Sequence, residues 1–154
     1  GQFTVRTVLD TSDDTMSLAA ADYNRDGRLD LDVCTYYAES AMASAAVVAA
    51  DPHFVFHDAN NGGANALFRN DSSDPAHWRF TDVTNQVGMG MNKTRFSFTA
   101  AWEDYDNDGD LDLYVANDFG RDNLYRCDTE GGLHFLDVAA SAGTEGSAAG
   151  MGLT

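Results

Sequence analysis

A fourteen-residue segment of this chain occurs twice. Ala20-Ala21-Asp22-Tyr23-Asn24-Arg25-Asp26-Gly27-Arg28-Leu29-Asp30-Leu31-Asp32-Val33 returns, 82 residues on, as Trp102-Glu103-Asp104-Tyr105-Asp106-Asn107-Asp108-Gly109-Asp110-Leu111-Asp112-Leu113-Tyr114-Val115. Two shorter echoes follow. Asn65-Ala66-Leu67-Phe68-Arg69-Asn70 returns as Asp122-Asn123-Leu124-Tyr125-Arg126-Cys127 at an offset of 57, and Phe80-Thr81-Asp82-Val83-Thr84 returns as Phe135-Leu136-Asp137-Val138-Ala139 at an offset of 55. Each copy of the last segment is closed by a glycine, Gly88 or Gly143. A repeat of this kind confines the fold to architectures that stack one supersecondary unit on the next. The unit is about 55 residues, and its first copy carries an insertion of about 25 residues, within about 38–64.

Each unit reads as four short strands. The first is apolar and runs into the acidic loop: Met16–Ala21 and Phe96–Trp102. The second leaves the loop with a period of two, which is the period of a strand. Leu29, Leu31 and Val33 share one face while Asp30, Asp32 and Cys34 point the other way; Leu111, Leu113 and Val115 repeat the pattern. Leu67–Asn70 and Leu124–Cys127 form the third strand, Phe80–Thr84 and Phe135–Val138 the fourth. The expected organisation is a single all-β repeat domain over 1–154. Residues 3–9 read as the last strand of a preceding unit. Residues 15–84 form the first unit, 96–138 the second, and 148–154 the opening of a third. Within the insertion, Glu39–Ala50 reads as an alanine-rich helix stopped before Pro52, Phe54–Phe56 as a strand, and Asn60–Gly63 as a loop.

The loop after the first strand carries the chemistry. Asp22, Asn24, Asp26 and Asp30 stand at loop positions 1, 3, 5 and 9, as do Asp104, Asp106, Asp108 and Asp112. Hard cations such as calcium take six to eight oxygen ligands, and short alternating acidic side chains supply them. Gly27 and Gly109 at position 6 allow the sharp turn. Position 7, Arg28 or Asp110, would contribute its backbone carbonyl, so its side chain is free to vary. An EF-hand requires Glu at position 12 and flanking helices; position 12 is Val33 or Val115, and the flanks alternate as strands. The composition agrees with two cation loops. Of the 25 acidic residues 21 are Asp, against nine Lys and Arg in all, for a net charge of −16. Such a balance disfavours nucleic acid and anionic membranes, which need a basic face.

The Asp-x-[Asp/Asn]-x-Asp-Gly-x-Leu-Asp loop between two strands resembles the calcium loop of the FG-GAP/VCBS repeat, the blade of β-propellers such as the integrin α-subunit head. The longer run from Asp104 to Asp118, then Asn123-Leu124-Tyr125-Arg126, Phe135-Leu136-Asp137-Val138 and Ala142-Gly143, is similar to the subgroup found in cartilage acidic protein and its bacterial secreted relatives. The resemblance implies four-stranded antiparallel blades and two calcium ions. One would be held by Asp22, Asn24, Asp26, the Arg28 carbonyl and Asp30. The other would be held by Asp104, Asp106, Asp108, the Asp110 carbonyl and Asp112. Two units cannot close a propeller, which takes at least four blades. The chain is therefore expected to be an incomplete propeller, either a fragment or a self-assembling subunit. Its expected partners are its own copies or other blades of the same propeller, with an extracellular protein or glycan as a further possibility.

Other features point to less. The longest apolar run, Ala41–Ala50 with one serine, is about half of what a bilayer-spanning helix needs. His53 and His57 share one face of a strand or helix turn with Asp58 next door, but a transition-metal site would need a third ligand; His77 and His134 have no motif around them, and no catalytic motif occurs, so no enzyme is expected. Cys34 and Cys127 allow one disulfide or two buried thiols. Asn70-Asp71-Ser72 and Asn92-Lys93-Thr94 are glycosylation sequons. Calcium loops and sequons agree with an extracellular or periplasmic setting. The expected function is a calcium-stabilised structural or adhesive repeat protein. The alternative is a carbohydrate- or protein-binding module that uses the insertion or an aromatic surface of Trp78, Trp102, Tyr36, Tyr37 and Phe119.

Overall fold

The computed structural model describes residues 3–11, 14–37, 59–130 and 132–146. The chain is all-β, with two four-stranded antiparallel sheets of strand order β1-β2-β3-β4 and β5-β6-β7-β8. The first sheet holds β1 (Thr15–Ala21), β2 (Asp30–Thr35), β3 (Ala66–Asn70) and β4 (Phe80–Asp82). The second holds β5 (Ser97–Glu103), β6 (Asp112–Asn117), β7 (Asn123–Asp128) and β8 (His134–Asp137). One short helix, α1 (Ala139–Ala142), follows β8 and ends at Gly143 in the left-handed conformation.

The repeat holds down to register. Leu18 faces Val33 as Ala100 faces Val115, and Leu31 faces Phe68 as Leu113 faces Tyr125. A bulge interrupts β1 between Thr15 and Ser17, and an equivalent one interrupts β5 between Ser97 and Thr99. The fourth strands stop short of the expected Thr84 and Val138. The reason is local. Asp82 Oδ1 accepts the Thr84 N–H at 2.9 Å, and Asp137 Oδ1 accepts the Ala139 N–H at 3.3 Å. These Asx turns take the backbone out of the ladder.

The sheets pack face to face, with β1 and β2 against β5. Alternation had set leucines on one face of β2 and aspartates on the other. The surprise is which face meets the other sheet. In the second sheet it is the leucine face: Leu113, Val115, Tyr125, Cys127 and Phe135 all enter the core. In the first sheet it is the aspartate face that covers them, through Cys34, Leu67 and the adjoining Tyr23. Asp30 and Asp32 are fully buried on that face, while Leu29 is 60% exposed on the other. A stack explains this, because each sheet must bury opposite faces against opposite neighbours. Tyr23 stacks on Trp102 with ring centroids 6.0 Å apart, Trp102 packs edge-on to Phe135, and the Trp102 indole donates to the Ala19 carbonyl at 3.4 Å. Burying such side chains contributes about 1.5–3 kcal/mol each.

Residues 3–9 form no strand here, and Phe3, Val5 and Val8 are exposed. Each fourth strand pairs with the third strand of its own sheet, and the described residues supply no third strand for a strand at 3–9. The expected opening of a third unit at 148–154 lies outside the described residues, as do the expected helix Glu39–Ala50 and strand Phe54–Phe56. The end of the insertion is irregular, as expected for Asn60–Gly63, and is tied across the sheets. The Gly62 N–H donates to the Thr94 carbonyl at 2.6 Å and the Asn65 N–H to the Lys93 carbonyl at 2.8 Å.

Candidate cation-binding loops

Both acidic loops connect the first and second strands of their sheets, and both fold the same way. Asp22 accepts the Asp26 and Gly27 N–H groups at 2.9 Å, as Asp104 accepts those of Asp108 and Gly109 at 3.1 and 3.0 Å. Asn24 Oδ1 accepts the Asp26 N–H at 3.0 Å, and Asp106 Oδ1 accepts that of Asp108 at 3.3 Å. The Asp26 and Asp108 carboxylates accept from Arg28 and Asp110 N–H at 3.0 and 2.8 Å. The backbone follows suit. Gly27 and Gly109 have φ of 84° and 95°, and Arg25 and Asn107 have 59° and 61°. Two side chains as different as arginine and asparagine take the same left-handed conformation because the loop requires it.

The folded loops gather oxygens. Carboxylate oxygens of Asp104, Asp106 and Asp108 lie within 4.8 Å of one another. The first loop offers the carboxylates of Asp22 and Asp26 with the amide of Asn24. There the Asn24 amide donates to Asp26 Oδ2 at 3.0 Å, and the Arg28 guanidinium donates to the same oxygen at 2.6 Å. Arg28 and Asp110 at position 7 were expected to matter only through their carbonyls. Their side chains are used: Arg28 also donates to the Asn70 carbonyl at 2.7 Å, and Asp110 accepts from Thr129 at 2.9 Å.

No family model, curated protein or solved structure matches the chain.

The loops are thus characterised by their own geometry. The position-9 aspartates stand apart from the triad. Asp30 Oδ1 accepts the Asn70 N–H at 2.7 Å and Asp112 Oδ1 accepts the Cys127 N–H at 2.7 Å, so each pins its loop to the third strand. Asp112 spends its second oxygen on the Tyr105 N–H at 3.1 Å. Asp30 Oδ2 has no hydrogen-bond partner among the described residues. Burial, reinforced by Asp26 and Asp22, pushes Asp30 up to about 6. Burial also raises Asp112, with Asp106 and Asp108 adding to the effect. A hard cation brought to the loop would favour the ionised form of a buried carboxylate beside two acidic neighbours.

One link between the loops was not expected. Arg25 reaches from the first loop to the second, where its guanidinium donates to the Gly109 carbonyl and pairs with Asp110 at 2.8 Å. No local pattern announces a contact across 84 residues; the repeat offset alone could have suggested that the loops are neighbours.

The remaining candidates fall elsewhere. His53 and His57 lie outside the described residues. His77 contacts the Asp74 carboxylate at 2.9 Å. Cys34 and Cys127 are buried free thiols; burial raises both, Cys127 to about 12. The Asn70 amide donates to the Leu29 carbonyl and that of Asn92 to Asp137, so both sequon side chains are engaged. Of the aromatic residues considered for sugar stacking, Tyr36, Tyr37 and Phe119 form an edge-to-face cluster around Phe96, and Trp102 packs between the sheets. Trp78 is 49% exposed.

Proposed function

We propose that this chain is a calcium-stabilised structural repeat protein of the extracellular or periplasmic space. Its two sheets are read as propeller-type blades, and its partners as further blades, from its own copies or from the same propeller. The observation that carries the cation reading is the duplicated loop, whose second copy draws the oxygens of Asp104, Asp106 and Asp108 within 4.8 Å of one another. The blade reading is supported by duplicated register and by stacking that buries opposite faces of the two sheets.

Asp104, Asp106 and Asp108 with the Asp110 carbonyl would hold one calcium ion, and Asp22, Asn24, Asp26 and the Arg28 carbonyl with Asp30 the other. Asp112 serves its loop by anchoring it to β7. Calcium would supply charge neutralisation: it offsets the repulsion of the clustered carboxylates and holds the turn at the end of each sheet. No catalytic role is assigned. Titration calorimetry of calcium into the chelator-treated protein tests the reading. Two binding events are expected, one of which disappears in Asp104→Asn/Asp108→Asn. Heat indistinguishable from dilution would refute it.

A further inference from the structure

The chain buries one face of each sheet against the other; on the remaining faces Val33, Phe68 and Leu124 are also buried, and the loop ends are left open among the described residues. We propose that these open faces are complementary, so that the leucine face of the first sheet docks head to tail on the aspartate face of the second sheet of another copy of this chain. The inference deepens the blade reading and rests on it, but not on calcium.

The occupant is specified by the repeat. Inside the chain, the leucine face of the second sheet is covered by Ala19, Asp32, Leu67 and Tyr23 of the first. Among the described residues, nothing covers the loop end of the equivalent leucine face on the first sheet. Leu18 and Leu29 are 61% and 60% exposed there, Ala20 is exposed, and Leu31 and Phe80 are half-buried. Ala20, Leu29, Leu31 and Phe80 line, with Trp78, an open groove of about 600 Å³. Exposed apolar surface this continuous marks an interaction site.

The matching surface is on the far side of the second sheet. Ala101, Tyr114, Leu124 and Tyr105 stand there at the repeat positions of Ala19, Asp32, Leu67 and Tyr23, and line a groove of about 440 Å³. Tyr105 is 40% exposed, whereas Tyr23, its counterpart in the covered face, is 4% exposed. Tyr23 rests on Trp102. The residue equivalent to Trp102 in the open face is Ala20, which leaves room for the incoming Tyr105 beside Trp78.

Charge agrees at the loop end. Arg25 meets Asp110 inside the chain; at the proposed junction the equivalent pair is Asn107 and Arg28, an amide oxygen facing a guanidinium. Such an interface is heterologous, and each added copy presents one open face of each kind, so association continues past the dimer unless the geometry closes a ring.

Light scattering across a concentration series, at about 0.15 M salt to screen the net charge, tests the proposal. Wild-type mass is expected to rise beyond the dimer. Leu18→Glu/Leu29→Glu blocks one face and Ala101→Glu the other, and each variant alone is expected at the chain mass. Mixed in equal amounts they retain one good face each and are expected to give a dimer that grows no further. Cooperative melting confirms that each variant is folded, and Tyr105→Ser replaces Ala101→Glu if the latter does not melt cooperatively. A wild-type mass that stays at one chain, association lost in the first variant but kept in the second, or a mixture that stays monomeric would each overturn the proposal. A monomer that still binds calcium would overturn the docking alone; an assembling chain that ignores calcium would overturn the cation reading alone.

Discussion

At the scale of single residues, the loops depend on a few positions that accept no substitute cheaply. Gly27 and Gly109 occupy left-handed backbone at φ of 84° and 95°. A Cβ at Gly27 would meet nothing within 4 Å, so Gly27→Ala isolates conformational strain from crowding. It should cost about 1–2 kcal/mol in urea unfolding; no loss would show that the loop rearranges. Asp71 is a different case. The Arg69 guanidinium, helped by the Thr81 hydroxyl, holds its carboxyl down at about 2. A depressed acid binds its proton more weakly folded than unfolded. Its contribution is therefore complete above its ordinary range near pH 4 and vanishes as pH falls through about 2. Arg69 is partly exposed, so the pair contributes no more than about 1 kcal/mol. Arg69→Ala should flatten stability between pH 4 and 2 by that amount, and an unchanged slope would mean that the pair contributes nothing.

At the scale of elements, strands were legible because their period differs from that of a helix and because the repeat showed each pattern twice. Their ends were less so, since Asp82 and Asp137 terminate β4 and β8 by side-chain hydrogen bonds that leave the apolar pattern unbroken. Which face of β2 meets the other sheet was not legible at all. Alternation separates Leu31 from Asp32 but does not say what lies over either, and in a stack the answer depends on the neighbouring sheet. The two loops fold alike, as their shared sequence implies, whereas the anchoring of Asp30 and Asp112 to β3 and β7 depends on strand pairing and had no local sign. The difference between the loops predicts their order. At loop positions 1, 3 and 5 the second gathers three carboxylates, while the first has two and an amide, with Arg28 bound to Asp26. The second loop should bind calcium more tightly, and Asn24→Asp should narrow the gap. Equal affinities in the wild type would show that charge count does not set the order.

At the scale of the molecule, the junction between the sheets is a layer of aromatic and aliphatic side chains joined at one edge by Arg25. Removing Tyr23, which touches both Trp102 and Phe135, should cost about 3–5 kcal/mol as Tyr23→Ala. Because the layer belongs to both sheets, a single melting transition should move to lower temperature. Two separated transitions would show that the sheets fold independently. The acidic loops sit at the ends of the strands that make this junction, so a cation bound there stabilises the folded chain by mass action.

Thermal unfolding with and without calcium tests that claim most directly. At a hundred times its dissociation constant, each filled site adds about 2.7 kcal/mol, which raises Tm by roughly 5–10 °C for a chain of this size. With both sites filled the expected rise over the chelator-treated protein is about twice that, reduced by about half in Asp104→Asn/Asp108→Asn. A Tm that is the same with chelator and with millimolar calcium would contradict the account.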